Sequence, residues 1–222
     1  MATIERPTYH HGDLRNALVL AAVELVEESG VDTFSLREAS RRVGVSPSAS
    51  YRHFRDRFAL LRAVAEDGFY RLAEQMEAEA DEARAERHGA EGAVAAFSAM
   101  GRAYVRFAVH HQAQFRVMFG PWARDELAGP CAGKQQEQDA CGKAAHATLV
   151  RILDDLVTSG ALDAQARAQI ELVAWAPMHG LARLMIDGQI PADDETLEAS
   201  FAVLERPLLI GLGVDPALIR RS

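Results

Sequence analysis

Residues 35–57, SLREASRRVGVSPSASYRHFRDR, read as two short helices joined by a tight turn. Ser35 followed by Glu38 is a capping box. The serine oxygen takes an orphan amide of the helix behind it, and the glutamate is expected to reach back to the serine's own amide. That helix runs near 36–43 and stops at Gly44, which is free to adopt the left-handed conformation. Ser46 then caps a helix near 47–54, with Pro47 in the first turn, where a missing N–H costs nothing. Ala39 supplies the small side chain that a close helix crossing needs, and Leu36, Val43, Val45 and Phe54 supply apolar anchors. A helix-turn-helix has this pattern: its second helix projects into the DNA major groove while neighbouring residues hold phosphates. Spacing alone leaves open an ordinary helical hairpin inside a bundle.

Charge is distributed as that reading requires. The 222-residue chain carries a net −8. Up to Arg62 there are nine arginines against eight acids, whereas the remainder carries −9. Within 35–62, Arg37, Arg41, Arg42, Arg52, Arg55, Arg57 and Arg62 face only Glu38 and Asp56. A local basic patch suits phosphate binding, and an acidic remainder limits non-specific adhesion; a solvated charged face has the same composition. Two cysteines, Cys131 and Cys141, cannot form a disulfide framework. With no signal-like N-terminus and no long apolar run, a cytoplasmic protein with no membrane association is expected.

Outward from the decisive stretch, helical periodicity dominates and no alternating strand stands out. A first helix near 13–29 buries Leu14, Leu18, Ala21 and Leu25 and ends at Gly30. Asp56 caps a long helix with Phe58, Leu61, Ala65, Leu72 and Met76 along one stripe. Val94, Phe97, Gly101, Tyr104 and Ala108 face inward on the next, before a short apolar turn at 115–119. Residues 120–136 read as a Gly/Pro-rich loop. Further helices are expected near 138–159, 164–187 and 194–212, with Pro177 and Pro207 kinking the last two. The fold class is therefore all-α, about nine helices: an N-terminal three-helix bundle with the helix-turn-helix (residues 1–56), then a C-terminal helical domain (57–222).

The sequence also resembles a known family. Tyr9-His10-His11-Gly12-Asp13-Leu14-Arg15, Gly44-Val45-Ser46, Tyr51-Arg52-His53-Phe54 and Arg57-Phe58-Ala59-Leu60-Leu61 look like the DNA-binding domain of tetracycline-repressor-like (TetR) regulators. Trp175, followed after three residues by His179-Gly180, resembles the W-x-x-x-H-G signature of one branch of C-terminal domains in that family. The resemblance implies that Arg37, Pro47, Ser48, Ala49 and Tyr51 approach bases, and that Ser35, Ser46, Arg52, His53 and Arg57 hold the DNA backbone. Arg37 has the fork that pairs with guanine, and Pro47 and Ala49 offer apolar contact to a thymine methyl. Two positions depart from the family pattern: Arg57 stands where lysine is usual, and Ser50 where leucine or proline is usual. Arg6, on the N-terminal arm, could reach a minor groove.

The family further implies a homodimer on double-stranded DNA carrying a palindromic operator, paired through a four-helix bundle from the last two helices. Ala176, Gly180, Ala182, Leu197, Phe201, Leu204 and Leu208 are the candidate dimer residues. An unknown small-molecule effector is expected in the C-terminal core, with Phe97, Tyr104, Phe107, Phe115, Met118, Trp122, Trp175, Met178 and His179 as candidate lining. All of these could equally be plain core. His110, His111, His146, His179 and the cysteines lack metal-ligand spacing, so neither metal nor cofactor is expected. The function expected is a ligand-responsive repressor. An activator of the same fold, a helical enzyme and a non-DNA-binding interaction module are the alternatives, although no nucleophile elbow, phosphate loop or cofactor fingerprint is present.

Overall fold

The computed structural model describes residues 13–120, 135–168 and 170–219, with side chains from Leu14 to Gly120 and from Ala144 onward. Arg6, Trp122 and Cys131, and the Cys141 side chain, lie outside the described residues. Among those described there are nine α-helices and no strand. They are α1 (Asp13–Ser29), α2 (Leu36–Val43), α3 (Pro47–Ser50), α4 (Arg57–Ala85), α5 (Gly89–His110), α6 (Gln112–Met118), α7 (Gln135–Thr158), α8 (Glu171–Ile186) and α9 (Asp194–Leu212). Short 3-10 turns occupy Ala164–Arg167 and Pro216–Leu218. No described helix is long and apolar enough to cross a membrane.

By packing, the chain forms two compact units. One runs to Gly68 and takes in the segment starting at Ala113; the other comprises Phe69–Gln112 and everything from Gln136. The division falls inside α4 rather than at its start.

In the first unit, α1 packs on α2 and α3 and buries Leu14, Leu18, Ala21 and Leu25, as the periodicity predicts. Arg42 of α2 clamps the pair through Glu28 (2.6 Å) and Glu24 (3.3 Å) of α1. Gly44 closes α2 with φ 77°, the left-handed value that glycine takes without strain. Asp56 caps α4 by accepting the Ala59 N–H at 2.8 Å. The buried Gln114 of α6 donates to the Val64 carbonyl and to Asp67 on α4.

In the second unit, α5 is the central element, packed by α8, α9 and the terminal 3-10 turn. Val94, Phe97, Gly101, Tyr104 and Ala108 are all buried. Gly101 marks a close helix approach: a Cβ there would stand 3.2 Å from the Phe201 ring and 3.3 Å from Met178 Sδ. Arg102 and Arg106 pair with Glu198 and Glu205 of α9 and Glu79 of α4. On α7, Asp155 binds Arg84 and Thr148 binds Glu77.

Two elements differ from the sequence reading. The helix near 47–54 is α-helical only over Pro47–Ser50 and tightens into i→i+3 bonds at Arg52 and His53. The helix expected over 164–187 is broken, because Ala168 takes an extended ψ of 123°. Arg167 spans the break, binding Asp154 of α7 and Glu171 of α8, both at 2.7 Å. Pro177 and Pro207, where kinks are expected, lie inside α8 and α9, which continue as helix through both.

Candidate nucleic-acid interface

The turn between α2 and α3 is assembled from local caps. Ser35 Oγ accepts the Glu38 N–H at 3.2 Å, and Ser46 Oγ accepts the Ala49 N–H at 3.3 Å. Only half of the expected capping box forms, because Arg41 engages both oxygens of the Glu38 carboxylate. That hydrogen bond holds Glu38 below the usual carboxylate range. Ser46 Oγ also meets Ser48 Oγ at 2.9 Å.

These bonds fix which side chains α3 presents. Ser46, Pro47, Ser48, Tyr51 and Arg52 are exposed, Ala49 and His53 half-buried, Ser50 and Phe54 buried. Arg37, in the first turn of α2, is exposed as well. Tyr51 keeps 48% of its surface open, which is far from a core tyrosine.

The arginines of the basic stretch divide by what holds them. Arg41 is bound to Glu38, and Arg42 to Glu28 and Glu24. Those hydrogen bonds raise both guanidinium pKa values and commit the charges within the head. Arg55 pairs with Asp56 at 3.0 Å. Arg57 is half-buried; its Nη2 donates to the Val31 carbonyl at 3.2 Å, and its guanidinium lies 5.3 Å from the Phe58 ring centroid. Arg37 and Arg52 have no ion-pair or hydrogen-bond partner among the described residues, so their charge is available to a ligand. Sequence reasoning missed Arg15, whose guanidinium lies 5.4 Å from the Phe54 ring centroid beside this face. It missed Ser40 too, a fully buried hydroxyl 2.7 Å from Ser50 Oγ where α2 meets α3. A serine pair ten residues apart was the only available signal.

Residues 18–64 match the family model described as bacterial regulatory proteins, tetR family. Residues 97–206 match the model of the tetracyclin repressor-like C-terminal domain. The chain belongs to the tetR family of bacterial regulators. The tetracycline repressor protein class A from transposon 1721 of Escherichia coli is 45% identical over 51 residues, 23% of this chain and 24% of that one, so the match spans about a quarter of the repressor's length. A protein of unknown function from Rhodococcus sp. RHA1 is 34% identical, with a TM-score of 0.73 over 93% of this chain and 98% of that one. A bacterial regulatory protein in the tetR family, also from Rhodococcus RHA1, has the same fold at 18% identity (TM-score 0.60, covering 91% and 98%).

In the C-terminal unit of this tetR-family chain, three of the candidate effector residues form one cluster. Trp175 Nε1–H donates to Tyr104 Oη at 3.1 Å, and Tyr104 Oη stands 2.9 Å from His179 Nδ1. Burial pushes the Tyr104 phenol up and keeps it protonated, and the tautomer of His179 decides which of the two groups donates in their hydrogen bond. Burial, helped by Arg183, lowers the His179 pKa from its ordinary value and so favours the neutral ring. Phe97, Phe107 and Met178 are buried in the same unit, whereas Phe115 and Met118 belong to the first. A cavity of about 660 Å³ opens elsewhere in the second unit, between the end of α4, α5, α9 and the terminal turn. None of the eight described candidate residues lines it.

The dimer candidates separate by burial. Ala182, Leu197 and Phe201 are at most 2% exposed, so they belong to the core of the chain itself. Leu204 and Leu208 are half-buried; Ala176 and Gly180 are exposed. Large apolar groups missed by the sequence reading stand open beside them: Leu172 (65%), Val173 and Leu184 on α8, and Val203 (72%) and Ile210 on α9.

Proposed function

We propose that this protein is a cytoplasmic, sequence-specific DNA-binding transcriptional repressor, working as a homodimer on a palindromic operator and released by a small-molecule effector. The observation that carries the DNA-binding part is the exposed, capped surface of Arg37, Pro47, Ser48, Tyr51 and Arg52. Arg37 and Tyr51 read base edges together with the small side chains of α3, whereas Arg52, Arg57, His53 and the capping serines hold the sugar-phosphate backbone.

One four-residue recognition helix covers too little DNA for specific affinity, so two heads act together, about one DNA turn apart. The open apolar stripe Leu172, Ala176, Gly180 and Leu184 on α8, with Val203, Pro207 and Ile210 on α9, supports self-association, since contiguous exposed apolar surface marks an interface. The Tyr104–Trp175–His179 cluster combines aromatic surface with directed polar groups, which suits an amphipathic effector. Because α4 contributes residues to both units, an effector bound in the second alters the separation of the two heads and so lowers operator affinity.

The test is a gel shift of genomic fragments flanking the protein's own gene, repeated with a random duplex of equal length. Retention of one fragment at concentrations that leave the random duplex free supports the proposal; equal indifference to both overturns it.

A further inference from the structure

Ser50 is the sole buried residue of α3, and its burial is complete. Its Oγ lies 2.7 Å from the Oγ of Ser40, itself fully buried, which also stands 2.7 Å from the Leu36 carbonyl. Each hydroxyl has one proton to give. Ser40 is the donor toward both the Ser50 Oγ and the Leu36 carbonyl, so its one proton is shared in a three-centre contact that ties the recognition helix to the body of α2. We infer that this buried serine pair is the positioning element that sets how α3 meets DNA, and hence how sharply the protein distinguishes its operator from other sequences. The inference rests on the DNA-binding reading above.

The reason lies in how little else holds α3. Pro47 and Ser48 are exposed and Ala49 half-buried, so no large apolar side chain of α3 plugs into the head. An apolar plug tolerates sliding and rotation, because the hydrophobic effect has no direction. A hydroxyl pair in a dry crossing holds only at one distance and orientation. Ser50 also anchors the next turn of the chain: its carbonyl accepts the N–H groups of His53 and Phe54, both at 3.0 Å. Fixing Ser50 therefore fixes the turn that presents Tyr51, Arg52 and His53. Neither serine touches DNA in this scheme, so they act only through the geometry of those neighbours.

The experiment compares full-length wild type with Ser40→Ala, Ser50→Ala and the double variant. The probes are a duplex that the wild type selects from a random-sequence pool and a scrambled duplex of the same length. Ser40→Ala leaves the buried Ser50 hydroxyl unsatisfied and is expected to melt below the wild type, whereas in Ser50→Ala the Ser40 hydroxyl keeps the Leu36 carbonyl and the loss is smaller; the double variant, with no hydroxyl to satisfy, recovers most of the Ser40→Ala loss. Discrimination between the two duplexes is expected to fall about tenfold in the singles and to stay low in the double, with the salt slope unchanged because no phosphate contact is lost. Discrimination that returns with the melting temperature in the double variant, or that never falls in the singles, overturns the inference and leaves DNA binding standing. A wild type that selects no duplex at all overturns the DNA-binding reading and takes the inference with it.

Discussion

Arg37 and Arg57 carry the same charge under different restraint, and the two are expected to fail differently. Arg37 is exposed and has no described partner, so Arg37→Ala leaves thermal stability unchanged while costing about 1–3 kcal/mol of discrimination at one base position per half-site. Arg57 donates to the Val31 carbonyl, so Arg57→Ala lowers the melting temperature, weakens all duplexes alike and reduces the salt slope by about one per half-site. Anisotropy titrations over a salt series, beside thermal melts, separate the two outcomes. His179 provides a pH test. Its folded pKa lies below 6.5, so the folded state binds that proton less readily than the unfolded chain. The associated stability is complete above 6.5 and is lost as pH falls from there through the folded pKa. The melting temperature of His179→Asn is therefore expected to fall less than that of the wild type between about pH 7 and 5. The caps at Ser35 and Ser46 were legible in the sequence because capping is local. Glu38 was misread because Arg41, three residues on, competes for its carboxylate. The partnership of Ser40 and Ser50 was hidden because it exists only once α2 and α3 cross.

Helices whose two faces differ in polarity could be oriented from sequence; those apolar all round could not. The inward stripes of α1 and α5 arise directly from a 3.6-residue period. On α8, Ala182 is fully buried while Leu172 and Leu184 are open, and composition alone reverses that order. The break before α8 was equally hidden, since Ala164–Arg167 is rich in helix formers and a tertiary clamp by Arg167 accompanies it. At the crossing of α5 with α8 and α9, Gly101→Val is expected to destabilise by about 1–3 kcal/mol, because added atoms meet Phe201 and Met178 in a closed space. Urea unfolding measures this; a midpoint equal to the wild type would mean that the crossing relaxes freely.

For the molecule as a whole, the order of three short helices, a long α4 and a helical C-terminal unit was readable, as was the family. The proposed dimer surface was not, because it is decided by which apolar groups the single chain leaves uncovered. Val203→Glu with Leu172→Glu places charge on that open stripe and is expected to give a folded monomer in sedimentation, with near-native helicity and greatly weakened duplex binding. Persistence of the dimer would move the interface elsewhere. DNA binding itself is tested most directly by titrating the purified full-length protein into a fluorescent genomic duplex from beside its own gene, at low and at physiological salt. Saturable binding of two protomers per site is predicted, steeply weakened by salt and absent with a scrambled duplex. No change in anisotropy with any duplex, even in dilute buffer, would contradict it.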